Sequence, residues 1–430
     1  MRNRYSGSYN RQRFNRDYSN NKSLWRQIYT YLASSLAIRG QERDIDNIRR
    51  HRPDYQLIMI MGVLLALGMI VIYAVSPALS YGLLGDYSEN YFLKRQLFNT
   101  LAGVVGFIVA SQIPLKVWRK ILPIMVVITV ISLIALFVPG LAISEKGATR
   151  WIGFGPFSFQ PAELMKLTTI FYLAFYLASK TVNDLRDASK TIIPIAILLG
   201  VLGFIVVVIQ RDLGTMMALV VITIGMLFLS GVPIRHMLSL VGVMFAGAVV
   251  SIIMFPHRVE RLMTFLNPGS DIQNTGFHVH QALLAIGSGG LFGLGLGHSV
   301  QVYGYLPEAA NDSIFAVWAE KFGFIGTIFI LSLFSFLIYK LFLIVRDIKN
   351  PAARLLAAGV MLWFSGHVII NTTAMLGLIP LTGITLPFLS YGGSSLLFMM
   401  IALGIAFNLS RYTERTAARR AGSVGQWSRV

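Results

Sequence analysis

The chain has 430 residues, of which 55% are hydrophobic and 13% are charged, and its mean hydropathy is +0.64. A soluble domain usually carries about 25% charged residues, so this composition excludes an ordinary soluble protein and predicts a membrane protein with several spans. The absence of cysteine excludes disulfide bonds and thiolate metal sites. The formal net charge of +18 does not indicate a nucleic-acid partner, because the basic residues collect at the two ends of the chain, as in membrane proteins.

Residues 1–54 form a basic N-terminal extension, which we expect to be cytoplasmic. Residues 1–24 are rich in Arg, Asn, Ser and Tyr, a composition typical of disordered tails. The segment that follows places Trp25, Ile28 and Leu32 on one helical face. This pattern predicts either a helix on the inner leaflet or a helix packed against protein, and the sequence leaves both open.

Apolar runs near the length that a membrane helix needs, about 20 residues, follow one another through the rest of the chain. They predict an all-α integral membrane domain at 55–410, with ten spans at residues 55–76, 97–113, 119–138, 161–179, 191–209, 214–230, 236–255, 313–341, 354–375 and 391–410. An even number of spans places both termini on one side. Basic inner loops and a basic tail at 411–430 place that side in the cytoplasm.

The predicted outer side includes one long loop, 256–312, between the seventh and eighth spans, and a connector of this length is usually functional. Several basic residues also lie outside, against the usual charge bias, and require a reason. They are Lys94, Arg95, Lys146, Arg150, Arg211, Arg258 and Arg261.

The stretch GATRWIGFGPFSFQPAELMK, residues 147–166, joins an outer loop to the fourth span. Arg150 is either an interfacial anchor or a bidentate contact for a phosphate. Glu163 and Lys166 lie three residues apart on one helical face and are expected to pair. Such a pair inside a membrane span is either structural or faces a water-filled cavity.

The long outer loop contains HRVERLMTFLNP and then the glycine-rich GFHVHQALLAIGSGGLFGLGLGHS. Arg258 and Arg261, three residues apart, face either an anionic head group or lipid and solvent. The glycines predict close backbone packing of a re-entrant segment, because no βαβ unit surrounds them to form a dinucleotide site. His278 and His280 diverge on a helix, which argues against a shared metal ion.

The stretch GLIPLTGITLPFLSYGGSS, residues 377–395, carries prolines and glycines that interrupt a helix at membrane depth. Broken backbone is tolerated there only when it is buried in protein or lines a cavity. Ser394 and Ser395 at its end are therefore either donors to a polar ligand or parts of a structural turn.

Two aspartates precede predicted helices. Asp212 in QRDLGT, with Thr215 three residues on, predicts a helix N-cap. Asp312 in LPEAANDSIFAV is open to two interpretations, an N-cap or a functional carboxylate at the membrane boundary.

The chain resembles the SEDS family (shape, elongation, division and sporulation) over residues 55–410, in motifs that occur in the family's order: GATRWI, QPAELMKL, QRDLGT, AIGSGG, YLPEAANDSIFAVWAEKFGFIG and GLIPLTGITLPFLSYGGSS. The resemblance implies a ten-span SEDS-type fold. It also implies a peptidoglycan glycosyltransferase that polymerises lipid II, a polyprenyl-linked substrate, on the outer face of the bacterial cytoplasmic membrane. LPEA and the long N-terminal extension resemble the division branch more than the elongation branch, which implies a role at the division septum.

The resemblance also implies partners and site residues. The expected partners are a class B penicillin-binding protein that crosslinks the strands, other division proteins and membrane lipids. The family's key acid falls on Asp312, which would accept the proton of a sugar hydroxyl or hold a divalent cation, Mg²⁺ or Mn²⁺, with no organic cofactor. The predicted substrate contacts are Arg150, Glu163, Lys166, Arg258, Arg261, Gln281, Glu308, Ser394 and Ser395.

The chain departs from the family's pattern beside this acid. The family usually has His-Thr before the aspartate and Phe after it, whereas Ala310, Asn311 and Ser313 stand here. Arg211 and Thr385 each stand where the family usually has proline. The first departure affects the geometry around Asp312, and Arg211 adds a positive charge near the outer face.

Three other functions stay open on the sequence alone. Intramembrane charges and broken helices also suit a transporter that flips lipid II, which needs a path open to the cytoplasm. A polymerase needs a polar cavity open outward beside Asp312, and an elongation-type polymerase shares that requirement. A scaffold that only recruits division enzymes predicts that Asp312→Asn is harmless.

Overall fold

The computed structural model describes residues 52–84, 90–145, 148–154, 157–266 and 276–413. The predicted helix near Trp25, the rest of the N-terminal extension up to residue 51, Lys146 and the tail from residue 414 lie outside the described residues. The helices are α1 Tyr55–Leu84, α2 Tyr91–Gln112, α3 Leu115–Ala135, α4 Pro161–Ala178, α5 Val182–Arg186, α6 Ala188–Gly203, α7 Leu213–Ser230, α8 Ile234–Met254, α9 Pro256–Leu266, α10 Phe277–Ser288, α11 Ile314–Asp347, α12 Pro351–Met375 and α13 Gly393–Leu409.

Within the described residues, nine helices are long and apolar enough to cross a membrane: α1, α2, α3, α6, α7, α8, α11, α12 and α13. The remaining predicted span, the fourth at residues 161–179, forms α4, which carries Glu163 and Lys166 near its start. Every residue from Pro161 to Phe171 is buried, so α4 lies inside the bundle, where charged side chains can be paired.

The loop before α4 is an exception to the all-α prediction. It forms an antiparallel sheet of β1 Ala142–Glu145, β2 Ala148–Phe154 and β3 Phe157–Phe159, in the order β1-β2-β3. Ile152 of β2 lies opposite Phe159 of β3. Aromatic and β-branched residues favour such strands, but strands this short are not detected by a search for long apolar runs.

The connection from α6 to α7 passes through a π-helical segment, Phe204–Ile209. The Asp212 side chain then accepts a hydrogen bond from the backbone N–H of Thr215 at 3.0 Å, which caps α7. The N-cap predicted at Asp212 is therefore confirmed.

The glycine-rich stretch after α10 packs backbone to backbone against α11. The N–H of Leu294 donates to the Glu320 carbonyl at 2.9 Å, and the N–H of Phe324 donates to the Gly290 carbonyl at 2.9 Å. A Cβ at Gly293 would lie 2.2 Å from the Lys321 carbonyl oxygen. α11 is kinked there at Gly323, where φ is 66°. The prediction of close backbone packing is confirmed.

The end of the bundle opposite the sheet is fastened by the two ends of the described chain. Asp54 pairs with Lys340 of α11, and its N–H donates to Ser410 Oγ at 3.0 Å. A β-bridge joins Ile348 to Thr413. These contacts hold the ends of α1, α11 and α13 together.

Candidate active site

A cavity of about 1720 Å³ lies at the end of the bundle that carries the sheet. Its walls come from α2, the sheet, the 210–212 turn, α9, α10, the turn before α11 and the broken segment before α13. Five of the outer basic residues converge on it: Lys94, Arg95, Arg150, Arg211 and Arg258. Three carboxylates also line it, at Asp212, Glu308 and Asp312. The cavity therefore offers a reason for the basic residues on the side that is predicted to be the outer one.

Asp312 lies in a tight turn that precedes α11. Glu308 has a φ of 52°, and its carbonyl accepts the N–H groups of Asn311 at 2.9 Å and Ser313 at 3.2 Å. The Asn311 side-chain amide also donates to the Glu308 carboxylate at 2.6 Å. Ser313, not Asp312, occupies the N-cap position of α11. The N-cap interpretation of Asp312 is therefore wrong, and Asp312, 8% exposed, lines the cavity.

Two neighbouring elements fix this turn through its backbone. The Asn371 side-chain amide donates to the carbonyl of Asp312 at 2.7 Å and to the carbonyl of Ile384 at 2.7 Å. The N–H of Tyr391 donates to the Ala310 carbonyl at 2.7 Å. α12 and the broken segment before α13 thus hold the Asp312 turn from two sides.

Tyr391 itself lines the cavity, and burial raises the pKa of its phenol to about 12. The positive charge of Arg95 opposes this shift only in part. The phenol therefore stays protonated at neutral pH and can donate a hydrogen bond to an anionic ligand.

Arg150 reaches the turn between α6 and α7. Its Nε donates to the Gln210 carbonyl at 3.1 Å, its Nη2 donates to the Arg211 carbonyl at 2.7 Å, and its Nη1 lies 3.9 Å from Asp212 Oδ2. Arg211 adopts a φ of 54° in this turn, which is uncommon for a residue with a side chain. Arg150 therefore has a structural role in the turn as well as a place on the cavity wall.

Arg258 is buried and ties three elements together. Its guanidinium donates to the backbone and side chain of Ser251 on α8 and to the carbonyl of Val207 in the π-helical segment. Arg261 lies in α9, and its side chain is outside what the structure describes. Gln281 lies on α10, outside the residues that line the cavity. Substrate contacts by these three residues remain predictions.

Glu163 and Lys166 form the predicted pair, with Lys166 Nζ 2.9 Å from Glu163 Oε1. Lys166 Nζ also lies 3.0 Å from His367 Nε2, which accepts a hydrogen bond from the Trp363 indole at 3.0 Å. His367 Nδ1 lies 3.1 Å from the carbonyl of Thr385. Both members of the pair are buried and lie outside the residues that line the cavity, so the structure places them beneath its wall.

Ser394 and Ser395 line the cavity at the start of α13. Ser394 Oγ accepts the N–H of Gln160 at 3.0 Å and lies 3.3 Å from the carbonyl of Ser158. Ser395 Oγ lies 3.0 Å from Thr385 Oγ1. Both serines join separate walls of the cavity, and their contact with a ligand remains a prediction.

Three residues of this region were not predicted from the sequence: Asn371, Tyr391 and His367. Nothing in the apolar pattern of α12 distinguishes Asn371 or His367 from an incidental polar residue. Only the fold brings Asn371 to the Asp312 turn and His367 to Lys166. For Lys94 and Arg95 the sequence did give an indication, because basic residues are uncommon in loops that are predicted to be outer ones.

The oxygen and nitrogen ligands near the cavity determine whether it can hold a divalent cation. Within the described part of the chain, no three His, Asp or Glu side chains come together as a metal cage. Mg²⁺ usually binds through one or two carboxylates, and water and substrate phosphates complete its oxygen ligands. Asp312 on the cavity wall supplies such a carboxylate. The residues therefore fit an ion that a phosphate-bearing substrate helps to hold.

A helical membrane bundle with a broken segment, a short sheet and a carboxylate in an end cavity is the architecture that the SEDS resemblance leads us to expect. The family model for the FtsW/RodA/SpoVE group, described as cell cycle protein, matches residues 55–415. The chain belongs to this family, and the predicted resemblance and fold are confirmed.

Known relatives match most of the chain. Stage V sporulation protein E of Bacillus subtilis is 37% identical over 85% of this chain and 99% of its own length. A probable peptidoglycan glycosyltransferase FtsW of Thioalkalivibrio is 36% identical over 90% of this chain and 96% of its own length.

Solved structures share the fold. One chain, from a structure described as "Structural coordination of polymerization and crosslinking by a peptidoglycan synthase complex", gives a TM-score of 0.67 at 25% identity and covers 84% of this chain and 98% of its own. The rod shape determining protein RodA of Thermus thermophilus gives a TM-score of 0.60 at 26% identity, with the same coverage.

Proposed function

We propose that the chain is a peptidoglycan glycosyltransferase that polymerises lipid II into glycan strands. The observation that carries the proposal is the position of Asp312, a nearly buried carboxylate whose backbone is fixed on the wall of a large cavity that basic side chains also line. Relatives named peptidoglycan glycosyltransferase FtsW support the same reaction class.

In this reaction a sugar hydroxyl of the acceptor attacks the anomeric carbon of the donor, and the polyprenyl pyrophosphate of the donor leaves. The hydroxyl loses its proton during the attack, and Asp312 accepts that proton. Negative charge develops on the leaving pyrophosphate. Lys94, Arg95 and Arg211 on the cavity wall stabilise that charge, and the Tyr391 phenol can donate to a phosphate oxygen.

A divalent cation, Mg²⁺ or Mn²⁺, would be held by Asp312 together with pyrophosphate oxygens, and it would neutralise the leaving group. A chelator distinguishes the two roles of Asp312. If Asp312 acts by holding the ion, removal of the ion should stop the reaction; if Asp312 acts as a base without an ion, the reaction should continue.

The transporter alternative is less well supported than the polymerase. A flippase requires a path through the bundle, but the Glu163–Lys166–His367 network lies beneath the cavity wall. At the other end, the Asp54–Lys340 pair and the Ile348–Thr413 bridge fasten the helices together. A cavity at one end suits a reaction that takes substrate and returns product on one face of the membrane.

We further propose that the cavity faces outward from the bacterial cytoplasmic membrane and that the enzyme acts at the division septum. The basic inner loops support this orientation. A class B penicillin-binding protein is the proposed crosslinking partner, with other division proteins nearby. The structural likeness to a complex described as coordinating polymerization and crosslinking supports such a partner.

The test is glycan-strand formation from purified lipid II in liposomes that contain the full chain, with and without the cognate transpeptidase and divalent cation. Asp312→Asn should lower the polymerisation rate by about 10²–10⁴-fold, the usual contribution of a general base. Asp184→Asn is the matched control, because Asp184 is a surface carboxylate at the opposite end of the bundle that pairs with Lys190. Equal rates for wild type and a folded Asp312→Asn protein would remove Asp312 from the reaction.

A further inference from the structure

We infer that His278 is a positioning residue for the reaction, and that it acts by holding the Asp312 turn through Ser313. His278 Nε2 lies 2.6 Å from Ser313 Oγ, and Ser313 directly follows Asp312. The inference rests on the proposed function, because it concerns the same turn and the same carboxylate.

The direction of this hydrogen bond follows from its surroundings. Ser313 Oγ donates to the carbonyl of Pro307 at 2.8 Å, and a carbonyl can only accept. A serine hydroxyl has one proton, so Ser313 Oγ accepts from His278, whose Nε2 therefore carries a proton. His278 thus donates from α10 to Ser313, which bonds back across the turn to Pro307.

This bond is a third tether on the turn. Asn371 holds the carbonyl of Asp312 from α12, and Tyr391 holds the carbonyl of Ala310. Both reach the turn through backbone carbonyls. His278 reaches it from α10 through the Ser313 side chain, and His278 also lines the cavity.

The tether also accounts for a departure of this sequence from its family. The family usually carries Phe where Ser313 stands, and a phenyl ring has no oxygen to accept a bond from an imidazole. Ser313 is fully buried, and a buried hydroxyl requires hydrogen-bond partners. His278 and Pro307 are those partners, so Ser313 and His278 form one unit in this chain.

The reaction depends on the placement of a carboxylate, and a misplacement of about 1 Å can cost 10²-fold in rate. His278→Ala should therefore lower kcat for lipid II polymerisation by about 10-fold while KM changes by less than about 2-fold. Ser313→Ala should have the same effect, and the double variant should be no slower than either single one. His278→Gln should recover most of the rate, because its amide can donate to Ser313 Oγ.

A second readout does not depend on activity. The N–H groups of Asn311 and Ser313 are bonded inside the turn, so His278→Ala should speed their hydrogen exchange and His278→Gln should not. His236→Ala is the matched control, because His236 Nε2 lies 3.1 Å from the Arg186 carbonyl at the opposite end of the bundle.

The outcomes separate the two proposals. If the wild type forms no strands but His278→Ala still speeds exchange in the turn, the tether stands and the proposed function fails. Suppose instead that the wild type forms strands. His278 is then not a positioning residue if the effects of His278→Ala and Ser313→Ala on the rate add in the double variant, or if His278→Ala changes KM alone. Unchanged exchange in the turn would overturn the tether itself.

Discussion

Two nearly buried carboxylates in this bundle, Glu163 and Asp312, are held in opposite ways. Glu163 is held through its charge, because the ammonium of Lys166 lies 2.9 Å away beneath the cavity wall. Asp312 is held through its backbone, because Asn371 binds its carbonyl while its side chain lines the cavity. The ion pair joins the Glu163 carboxylate to its neighbour on the same helix, whereas the backbone tether sets the Asp312 carboxylate on the cavity wall.

Removal of the charge partner should have the largest effect. Lys166→Met leaves Glu163 buried without its ammonium, and breaking a buried pair in this way costs about 3–5 kcal/mol. We expect a clear drop in the thermal unfolding temperature in detergent. The double variant Glu163→Gln/Lys166→Met should recover much of it, because no uncompensated charge remains.

This variant also tests whether Lys166 binds substrate, as the sequence analysis predicted. A Lys166→Met protein that unfolds at the wild-type temperature but no longer binds lipid II would contradict the structural role. The contrast with Asp312 would then not hold, because Lys166 as well as Asp312 would act on the substrate.

The second largest effect is expected at Gly293, whose backbone positions α11 and with it the Asp312 turn. A Cβ there would lie 2.2 Å from the Lys321 carbonyl oxygen, and φ at Gly293 is +83°. Gly293→Ala should cost about 1–3 kcal/mol for overpacking, with added strain from the left-handed backbone. Gly297→Ala is the control, since nothing lies within 4 Å of a Cβ at Gly297. Similar unfolding temperatures for the two variants would refute the packing account.

The third prediction concerns the backbone tether itself. Asn371→Ala leaves two buried carbonyls, those of Asp312 and Ile384, without their donor, at about 1–3 kcal/mol. Polymerisation should fall by about 10-fold or more, since the turn that carries Asp312 loosens.

Asn408→Ala is the matched control for this tether. The Asn408 amide donates to the Ser111 carbonyl at 2.5 Å, far from the cavity, so its loss should affect stability without a comparable loss of rate. If both variants lose rate and stability in the same proportion, the Asn371 tether has no special part in placing Asp312.

The two regions also differ in how far the sequence predicts them. The Glu163–Lys166 pair follows from a spacing of three residues on one helix, which is local information. The nine candidate membrane spans of the described residues and α4 follow from apolar length, and Asp312 follows from the family resemblance. The N-cap at Asp212 was predicted correctly from local sequence. The same local pattern gave the wrong N-cap at Asp312, because the N–H groups of Asn311 and Ser313 bond to the Glu308 carbonyl in a turn that precedes α11.

The tethers were not predictable because they join residues far apart in the chain. Asn371 reaches Asp312 only after α11 and α12 pack side by side, and His278 reaches Ser313 only after the glycine-rich stretch folds back. The sheet at 142–159 was missed because its strands are shorter than any membrane span. Arg150 and Arg258 were predicted as substrate contacts from their charge, their position and the family resemblance, and in the fold both also bind backbone carbonyls, which the sequence does not indicate.

The smallest effect is expected at Tyr391, which belongs to the backbone-held region. Burial raises the pKa of Tyr391 to about 12, above the ordinary value of about 10. As pH rises past 10, the unfolded chain releases this proton first, so the stability that protonated Tyr391 provides is present below pH 10 and is lost as pH approaches 12. Tyr391→Phe should therefore lack this alkaline loss of stability. Its polymerisation rate between pH 7 and 9 should fall only a few-fold, because the variant loses one hydrogen bond worth about 0.5–1.5 kcal/mol. Unfolding midpoints measured from pH 8 to 11.5 for both proteins check the linkage, and parallel curves would show that Tyr391 does not titrate in this window.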